Sequence, residues 1–226
     1  IEAARVLGSV PSNLIPANLA PALNAGLEEF RAAQLAMADM PWSHLNLGVL
    51  YLDQGKTEEA EESFRIAVRL DPGFVPARVN LANLLNSQGR NDEAEAQLRE
   101  AIRVASDQGE LYYNLGLLVA EMGKLEEAVR ILETAANLVP NRARIRYNYA
   151  LALQQLGRRQ EAEKALEEAL SVDAEDADIV YALVAFHMQQ GELEKALPYA
   201  ERLVELRPGS PGPRGMLAQI RAQLGR

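Results

Sequence analysis

Glycine recurs every 34 residues along most of this chain, without an insertion or a deletion. The six positions are Gly55, Gly89, Gly123, Gly157, Gly191 and Gly225. Five residues after each of the first five glycines stands an alanine, at Ala60, Ala94, Ala128, Ala162 and Ala196. A second column follows seven residues later, with Ala67, Ala101, Ala135 and Ala169, and is broken at Leu203. So strict a period indicates one repeated structural unit, which restricts the chain to repeat architectures.

Each unit of the period is predicted to form two helices joined by a tight turn. The glycine suits the left-handed conformation that follows a helix. Thr57, Asn91 and the acidic pairs after each turn are expected to start the second helix, by capping its amides and complementing its dipole. Ala60, Phe64 and Ala67 then form one apolar stripe. Prolines are expected to end the second helix, at Pro72, Pro140 and Pro208.

The composition favours packed helices. Aromatic residues make up 5% of the chain and hydrophobic residues 48%, so a core must consist mainly of alanine, leucine and valine. This mixture is typical of helices rather than strands. The predicted fold class is therefore all-α.

The repeated residues resemble the tetratricopeptide repeat. The resemblance is carried by Asn46, Leu47 and Gly48, by their equivalents at 114–116, and by Tyr51, the turn glycine, both alanines, Phe64 and Pro72. It implies a right-handed α-α superhelix, a solenoid of about five full repeats. The expected repeats span 41–74, 75–108, 109–142, 143–176 and 177–210, and residues 211–226 are expected to form a C-terminal capping helix. Ala82 and Val184 depart from the pattern at the first-helix glycine, and Ser106 and Ala174 depart from it at the proline.

Residues 1–40 do not follow the repeat and are expected to form N-terminal capping helices. Within them, 21–38 has the spacing of a degenerate half repeat, and 1–11 resembles the end of a HEAT repeat. Because the chain begins at Ile1, we expect it to be a processed product or part of a longer protein. If the chain follows a HEAT array, its parent protein resembles bacterial proteins that join HEAT and tetratricopeptide arrays, some of which carry cytochrome modules. The compartment is left open between cytoplasm and bacterial periplasm.

Several functional classes are not expected. The formal charge of −9 and the pI of about 4.9 disfavour nucleic-acid binding, because no basic face offsets them. The absence of cysteine excludes disulfides and thiol chemistry within these residues. No apolar run is long enough for membrane insertion. His44 and His187 occupy core columns without acid, base or metal-ligand partners at helical spacing. We therefore expect no enzyme activity, no metal and no cofactor.

The resemblance implies that the first helices line a concave groove which binds peptides. Asparagines recur there at Asn46, Asn80, Asn114 and Asn148, with Asn83 three residues from Asn80. An amide both donates and accepts hydrogen bonds, so such a column can bind an extended backbone. The alternative is that the asparagines bond between neighbouring helices. Beside them stands a tyrosine column, Tyr113, Tyr147 and Tyr181, which is predicted either to bind the ligand or to pack across the groove.

One specific binding mode of the family is not expected. Members that grip a C-terminal carboxylate use two lysines, an arginine and two asparagines in three successive repeats. Here Asn83, Asn114 and Arg144 match, with Arg144 in a lysine role, but Val79 and Asn148 replace two cations. The predicted function is a non-catalytic protein–protein interaction scaffold that binds an extended peptide or a partner helix. The alternative is self-assembly through Met37, Met40 and Trp42 or through the C-terminal helix.

Overall fold

The computed structural model describes residues 16–225. Over that range the chain forms twelve α-helices and no strand, which confirms the all-α prediction. The chain divides into two compact units, Ile1–Asp107 and Gln108–Arg226. Segment 1–11, for which the sequence suggested the end of a HEAT repeat, lies outside the described residues.

The first unit contains five described helices. They are α1 (Ala20–Leu35), α2 (Pro41–Asp53), α3 (Thr57–Leu70), α4 (Val75–Ser87) and α5 (Asn91–Val104). Three residues separate α2 from α3 and α4 from α5, and so short a connection returns each second helix antiparallel along the first. Each helix packs on the next one in sequence from α1 to α5.

The second unit contains seven described helices. They are α6 (Gly109–Glu121), α7 (Leu125–Leu138), α8 (Ala143–Gln155), α9 (Arg159–Val172), α10 (Ala177–Gln190), α11 (Leu193–Leu206) and α12 (Pro211–Gln223). Each helix again packs on its sequence neighbour, and α6 also contacts α8 directly. The packing therefore follows the order of the chain, as in a helical solenoid.

The turn glycines adopt the conformation that their spacing predicted. All six have positive φ, from 72° to 77°, and no other residue of the described part does. At the first turn the amide of Gly55 donates to Leu52 O over 2.9 Å and that of Lys56 donates to Tyr51 O over 2.8 Å. These bonds satisfy carbonyls at the end of α2, so glycine is needed here for its left-handed backbone.

The prediction of side-chain caps on the second helices was wrong. Lys56 and Arg90 occupy the N-cap positions of α3 and α5, and neither side chain makes a capping bond. Thr57 and Asn91 are already the first helical residues, because the turn needs only one residue between glycine and helix. The acidic pairs do lie in the first turns, as expected. Among the described helices only α10 has a side-chain cap, Asp176, which accepts from two backbone amides.

The alanine columns form the contact between paired helices. Every member of both columns is fully buried, and so is Leu203 where the second column breaks. At the first-helix glycines the helices approach still more closely. A Cβ on Gly48 would lie 2.3 Å from the ring of Phe64, and one on Gly116 would lie 2.7 Å from Leu132. Small residues on one helix thus make room for large residues on the other.

Candidate functional site

The first helices of the second unit stand side by side, and side-chain bonds join them. Asn148 Nδ2 donates to the hydroxyl of Tyr113 over 2.7 Å, which links α8 to α6. Arg144 Nη2 donates to Asp178 Oδ2 over 3.3 Å and links α8 to α10. These bonds connect residues one repeat apart, because equivalent positions of successive first helices are neighbours in space. We call the surface formed by α6, α8 and α10 around Tyr113, Tyr147 and Tyr181 the tyrosine face.

Several of the predicted asparagines already have partners within the protein. In the first unit, Asn46 Nδ2 donates to Gln34 Oε1 over 3.0 Å, and Asn80 Nδ2 donates to Pro76 O in its own helix over 2.9 Å. In the second unit, Asn148 is held by Tyr113. Asn83 is exposed and Asn114 is half-buried, and neither side chain makes a hydrogen bond with a described residue. Asn46 and Asn148 therefore bond between helices, while Asn83 and Asn114 keep free amides.

The three tyrosines have the same register but different exposure. Tyr113 is 8% exposed, and the Arg142 guanidinium lies 5.0 Å from its ring centroid. Tyr147 is half-buried under Arg144, at 5.2 Å. Tyr181 is 47% exposed. The tyrosine face therefore offers most of its open aromatic surface at Tyr181.

The hydroxyl of Tyr147 is a neutral hydrogen-bond donor. Burial raises its pKa above the usual tyrosine value, and the nearby carboxylate of Asp178 raises it further. The hydroxyl makes no hydrogen bond with a described residue. It therefore remains available to donate to a ligand carbonyl.

The charges beside the tyrosine face neutralise one another. Asp178 Oδ1 accepts from Arg207 Nη2 over 2.5 Å, and Asp178 Oδ2 accepts from Arg144. Asp176 lies 3.9 Å from Arg144 as well. The pKa of Asp178 is lowered by the hydrogen bond from Arg207 first and by that from Arg144 second. Arg144, the residue matched to a lysine of the carboxylate grip, is thus already paired with acids.

Side chains near the start of several first helices hydrogen-bond to backbone carbonyls just ahead of the helix, a role that was not predicted from the sequence. In the first unit, His44 Nε2 donates to Ala38 O and Arg78 Nε donates to Pro72 O, each over 2.9 Å. In the second unit, Arg214 Nη2 donates to Pro208 O over 2.6 Å. Each donor stands six residues after its acceptor. The three donors occupy equivalent positions of the 34-residue repeat. The recurrence of donors at those positions was the available signal. His44 is buried, as predicted for a packing residue.

His187 has partners that helical spacing did not reveal. Its Nδ1 lies 3.0 Å from Glu192 Oε2, and its Nε2 lies 4.0 Å from Glu163 Oε1. Only partners at helical spacing were considered in the sequence, so both acids were missed, because Glu163 comes from α9 and Glu192 from the turn after α10. The prediction that His187 is buried is confirmed, at 1% exposed.

One nitrogen of His187 and one oxygen from each glutamate lie within 4.8 Å of one another, close enough to consider a metal ion. However, Lys195 Nζ lies 3.0 Å from Glu163 and 3.1 Å from Glu192. The ammonium group supplies the positive charge that a metal would otherwise provide. The donor set is therefore better described as an ion network that ties α9, α10 and α11 together.

Exposed apolar side chains are concentrated in the first unit, where α1 connects to α2. Leu35, Met37, Met40 and Trp42 are each about half exposed, from 48% to 59%. The ring of Trp42 meets Phe74 edge to face at 4.6 Å. We call these four residues the apolar connection. In the described part of the chain, no helix is both long and apolar enough to cross a bilayer.

Comparisons with known proteins agree with the helix pairs. A tetratricopeptide repeat family model matches residues 21–73, 45–110 and 147–211, and a second tetratricopeptide repeat model matches 107–175. No curated protein matches the chain significantly.

Several solved structures are similar to this chain. One is MamA from Desulfovibrio magneticus RS-1, at 17% identity and a TM-score of 0.68, covering 76% of this chain and 97% of that one. YrrB, described as a TPR protein with an unusual peptide-binding site, is 20% identical with a TM-score of 0.67, covering 87% and 99%. Pseudomonas aeruginosa PilF is 23% identical with a TM-score of 0.64, covering 88% and 92%.

At these identities the structural likeness establishes the fold alone. The family models together cover most of the chain, including the part in which the glycine and alanine columns recur. The fold class is the all-α tetratricopeptide solenoid, as predicted. The chain therefore belongs to the tetratricopeptide repeat family, whose members generally serve as non-catalytic scaffolds for protein–protein interaction.

Proposed function

We propose that this protein binds an extended segment of a partner protein, and that the tyrosine face of the second unit is the main binding surface. The observation that carries the proposal is the exposed ring of Tyr181, next to the half-buried Tyr147 and in register with it. A large aromatic side chain left open among polar groups is typical of binding hot spots.

Other residues of the tyrosine face support the capture of a peptide rather than simple solvation. Leu117 on α6 is 38% exposed and adds an apolar contact. Asn114 keeps a free amide, which can pair with a peptide backbone of any sequence. Gln154 and Gln189 join α8 and α10 by a hydrogen bond of 3.0 Å and extend a neutral polar lining. A ligand here would meet aromatic, aliphatic and amide groups together.

The asparagines of the first unit are proposed as a secondary contact surface. Asn83 is exposed without a partner, while Asn46 and Asn80 each use one amide proton internally. Each of those two retains a second proton and a carbonyl oxygen. We therefore propose that Asn46, Asn80 and Asn83 contribute less to binding than the residues of the tyrosine face.

The test is to select binders from a random peptide library displayed on phage and to measure their affinity for variants of the full chain. Tyr181→Ala with Asn114→Ala should weaken the selected peptides by about tenfold or more. Leu138→Ala is the matched control, since it truncates an exposed apolar residue on α7, and it should leave affinity unchanged. The double variant Asn80→Ala with Asn83→Ala measures how much the first unit contributes to the peptide affinity. Full retention of affinity in the Tyr181 variant would place the site elsewhere.

Self-assembly is the second candidate, and the apolar connection favours it. Four half-exposed apolar side chains within residues 35–42 form a patch of the kind that self-associating proteins bury. Trp42 is the only tryptophan of the chain, so intrinsic fluorescence reports on this patch directly. Association through it should shift the emission to shorter wavelength as concentration rises, in step with mass measured by light scattering. Met40→Ser with Met37→Ser should abolish both changes. Constant mass and emission would rule this candidate out.

A further inference from the structure

We infer that the segment bound by the tyrosine face is an uncharged, proline-rich segment in the polyproline II conformation. This inference rests on the proposed function and specifies its ligand. It follows from three features of the second unit, namely the repeated register of its tyrosines, the unsatisfied hydrogen-bonding groups beside them, and the pairing of the local charges.

The register of the tyrosines suits a polyproline II helix. The bonds from Asn148 to Tyr113 and from Arg144 to Asp178 join α6 to α8 and α8 to α10, so Tyr147 and Tyr181 stand at the same register on successive first helices. A polyproline II helix has three residues per turn and rises about 9 Å in each turn. Prolines at every third position therefore lie on one side of the ligand, and we place that side against Tyr147 and Tyr181.

The free polar groups suit the backbone of such a ligand. A polyproline II helix has no internal hydrogen bonds, so all of its carbonyl oxygens seek donors, and its prolines have no N–H to satisfy. The hydroxyls of Tyr147 and Tyr181 and the amide of Asn114 make no hydrogen bond with any described residue. These donors lie beside aromatic rings, a combination that recognises proline-rich segments in aromatic-lined grooves.

The charges favour a neutral ligand. Arg144, Asp178 and Arg207 are mutually paired, so neither an acidic nor a basic side chain of the ligand would find a free partner among them. Burying an unpaired ligand charge beside them costs free energy. The net charge of −9 further disfavours an acidic segment. A proline-rich segment needs no charge to bind, since its conformation is already formed and little entropy is lost on binding.

Other peptide conformations fit this surface less well. A ligand strand would need the open edge of a sheet, and the described residues contain no strand. A ligand helix would need a broad apolar groove, yet Asn114, Gln154 and Gln189 make the lining polar. A free C-terminal carboxylate would need an unpaired cation, and Arg144 is held by two acids.

The experiment measures binding of a fluorescently labelled, capped decaproline peptide to the full chain by anisotropy. A capped decapeptide of alternating glycine and serine is the peptide control. Decaproline should bind and the control peptide should not. Tyr181→Ala should weaken decaproline binding by about tenfold or more, and Tyr181→Phe should weaken it less, because the ring is kept. Leu138→Ala should have no effect. Circular dichroism should show that the variants remain folded, because Tyr181 is 47% exposed.

The outcomes separate this inference from the proposed function. If decaproline fails to bind, or binds equally well to Tyr181→Ala, the inference is wrong. If the phage selection then yields peptides without proline whose affinity depends on Tyr181, the proposed function stands and only the ligand class changes. If no peptide of any kind depends on Tyr181, both proposals fail together.

Discussion

Identical residues in one column of the repeat have different roles, and Tyr113 and Tyr181 show this most clearly. Tyr113 is buried because Asn148, 35 residues later, bonds to its hydroxyl and Arg142 covers its ring. The position 35 residues after Tyr181 is Met216, whose side chain cannot donate such a bond. The neighbouring repeat therefore decides whether a tyrosine packs or remains open.

The bond between Tyr113 and Asn148 should contribute measurably to stability. Both groups are at least half-buried, so loss of either partner leaves a polar atom poorly satisfied. In a double-mutant cycle of Tyr113→Phe and Asn148→Ala, we expect a coupling free energy of about 1 kcal/mol. Urea unfolding followed by circular dichroism provides the four stabilities. Additive effects of the two substitutions would show that the bond adds nothing.

The pairing of Asp178 should make stability depend on pH in acid. The bonds from Arg207 and Arg144 lower its pKa below the ordinary value of 3.8, so the folded state binds this proton less readily than the unfolded state. The stabilisation is therefore complete above pH 3.8 and is lost as the pH falls through the lower folded value.

Thermal melts of Asp178→Asn and wild type should differ at pH 7, and the difference should shrink steadily below about pH 4. Glu133→Gln is the matched control, because Glu133 has no ion pair among the described residues, and its melts should track wild type throughout. If the difference for Asp178→Asn stayed constant into acid, the ion pairs would not be its cause.

At the scale of the element, paired helices compensate each other in volume. The first-helix column is Gly48, Ala82, Gly116, Ala150 and Val184, and the facing second-helix column is Phe64, Leu98, Leu132, Leu166 and Ala200. Phe64, the largest residue of the second-helix column, faces Gly48. Ala200, the smallest, faces Val184. Val184, which departs from the family pattern, is thus explained by the small partner opposite it, and Ala82 is accommodated because Leu98 is smaller than Phe64.

This compensation predicts a rescue. Gly48→Ala would place a Cβ 2.3 Å from the Phe64 ring, and we expect a net loss of about 1–3 kcal/mol despite the better helix propensity of alanine. Adding Phe64→Leu recreates the pair found at Ala82 and Leu98, so the double variant should be more stable than Gly48→Ala alone. Chemical denaturation of the three variants checks this. A double variant as unstable as the sum of the single ones would contradict the explanation.

At the scale of the whole molecule, stability arises from contacts between consecutive helices within each unit. In the second unit, Ile220 of α12 is fully buried in a cluster with Val184 and Leu203. The C-terminal helix thus covers an apolar surface that the preceding pair would otherwise expose to solvent. The capping role expected for residues 211–226 stays a prediction, and truncation tests it.

Removal of residues 211–226 should weaken the end of the array without unfolding the entire unit. Hydrogen exchange followed by mass spectrometry should show lost protection in α10 and α11, while α6 and α7 keep theirs. Ile220→Ala, which leaves the helix present but opens a cavity, should give the same pattern with smaller amplitude. Uniform loss of protection in α6 through α11 would mean that the unit folds as one cooperative block.

Much of the fold could be predicted from the sequence, because helix ends and turns depend on local chemistry. Gly55 requires a left-handed backbone wherever a helix turns so tightly, and Ala60 must be small wherever two helices touch. Side-chain capping by Thr57 was predicted incorrectly, because a shift of one residue separates a cap from a first helical position. The convergence of Glu163 and Glu192 on His187 was missed, since the two acids come from different segments.

The sequence by itself determined the repeat, the helical class and the residue types available to a ligand, because these depend on spacing and on local conformational preference. Only the tertiary structure decided which of those residues are free. Asn46 and Asn148 are engaged while Asn114 is not, and Tyr113 is covered while Tyr181 is open. The physical reason is that the exposure and the hydrogen bonds of a side chain depend on the residues that pack beside it. Those neighbours come from other helices, so the residue types in one column of the repeat do not reveal them.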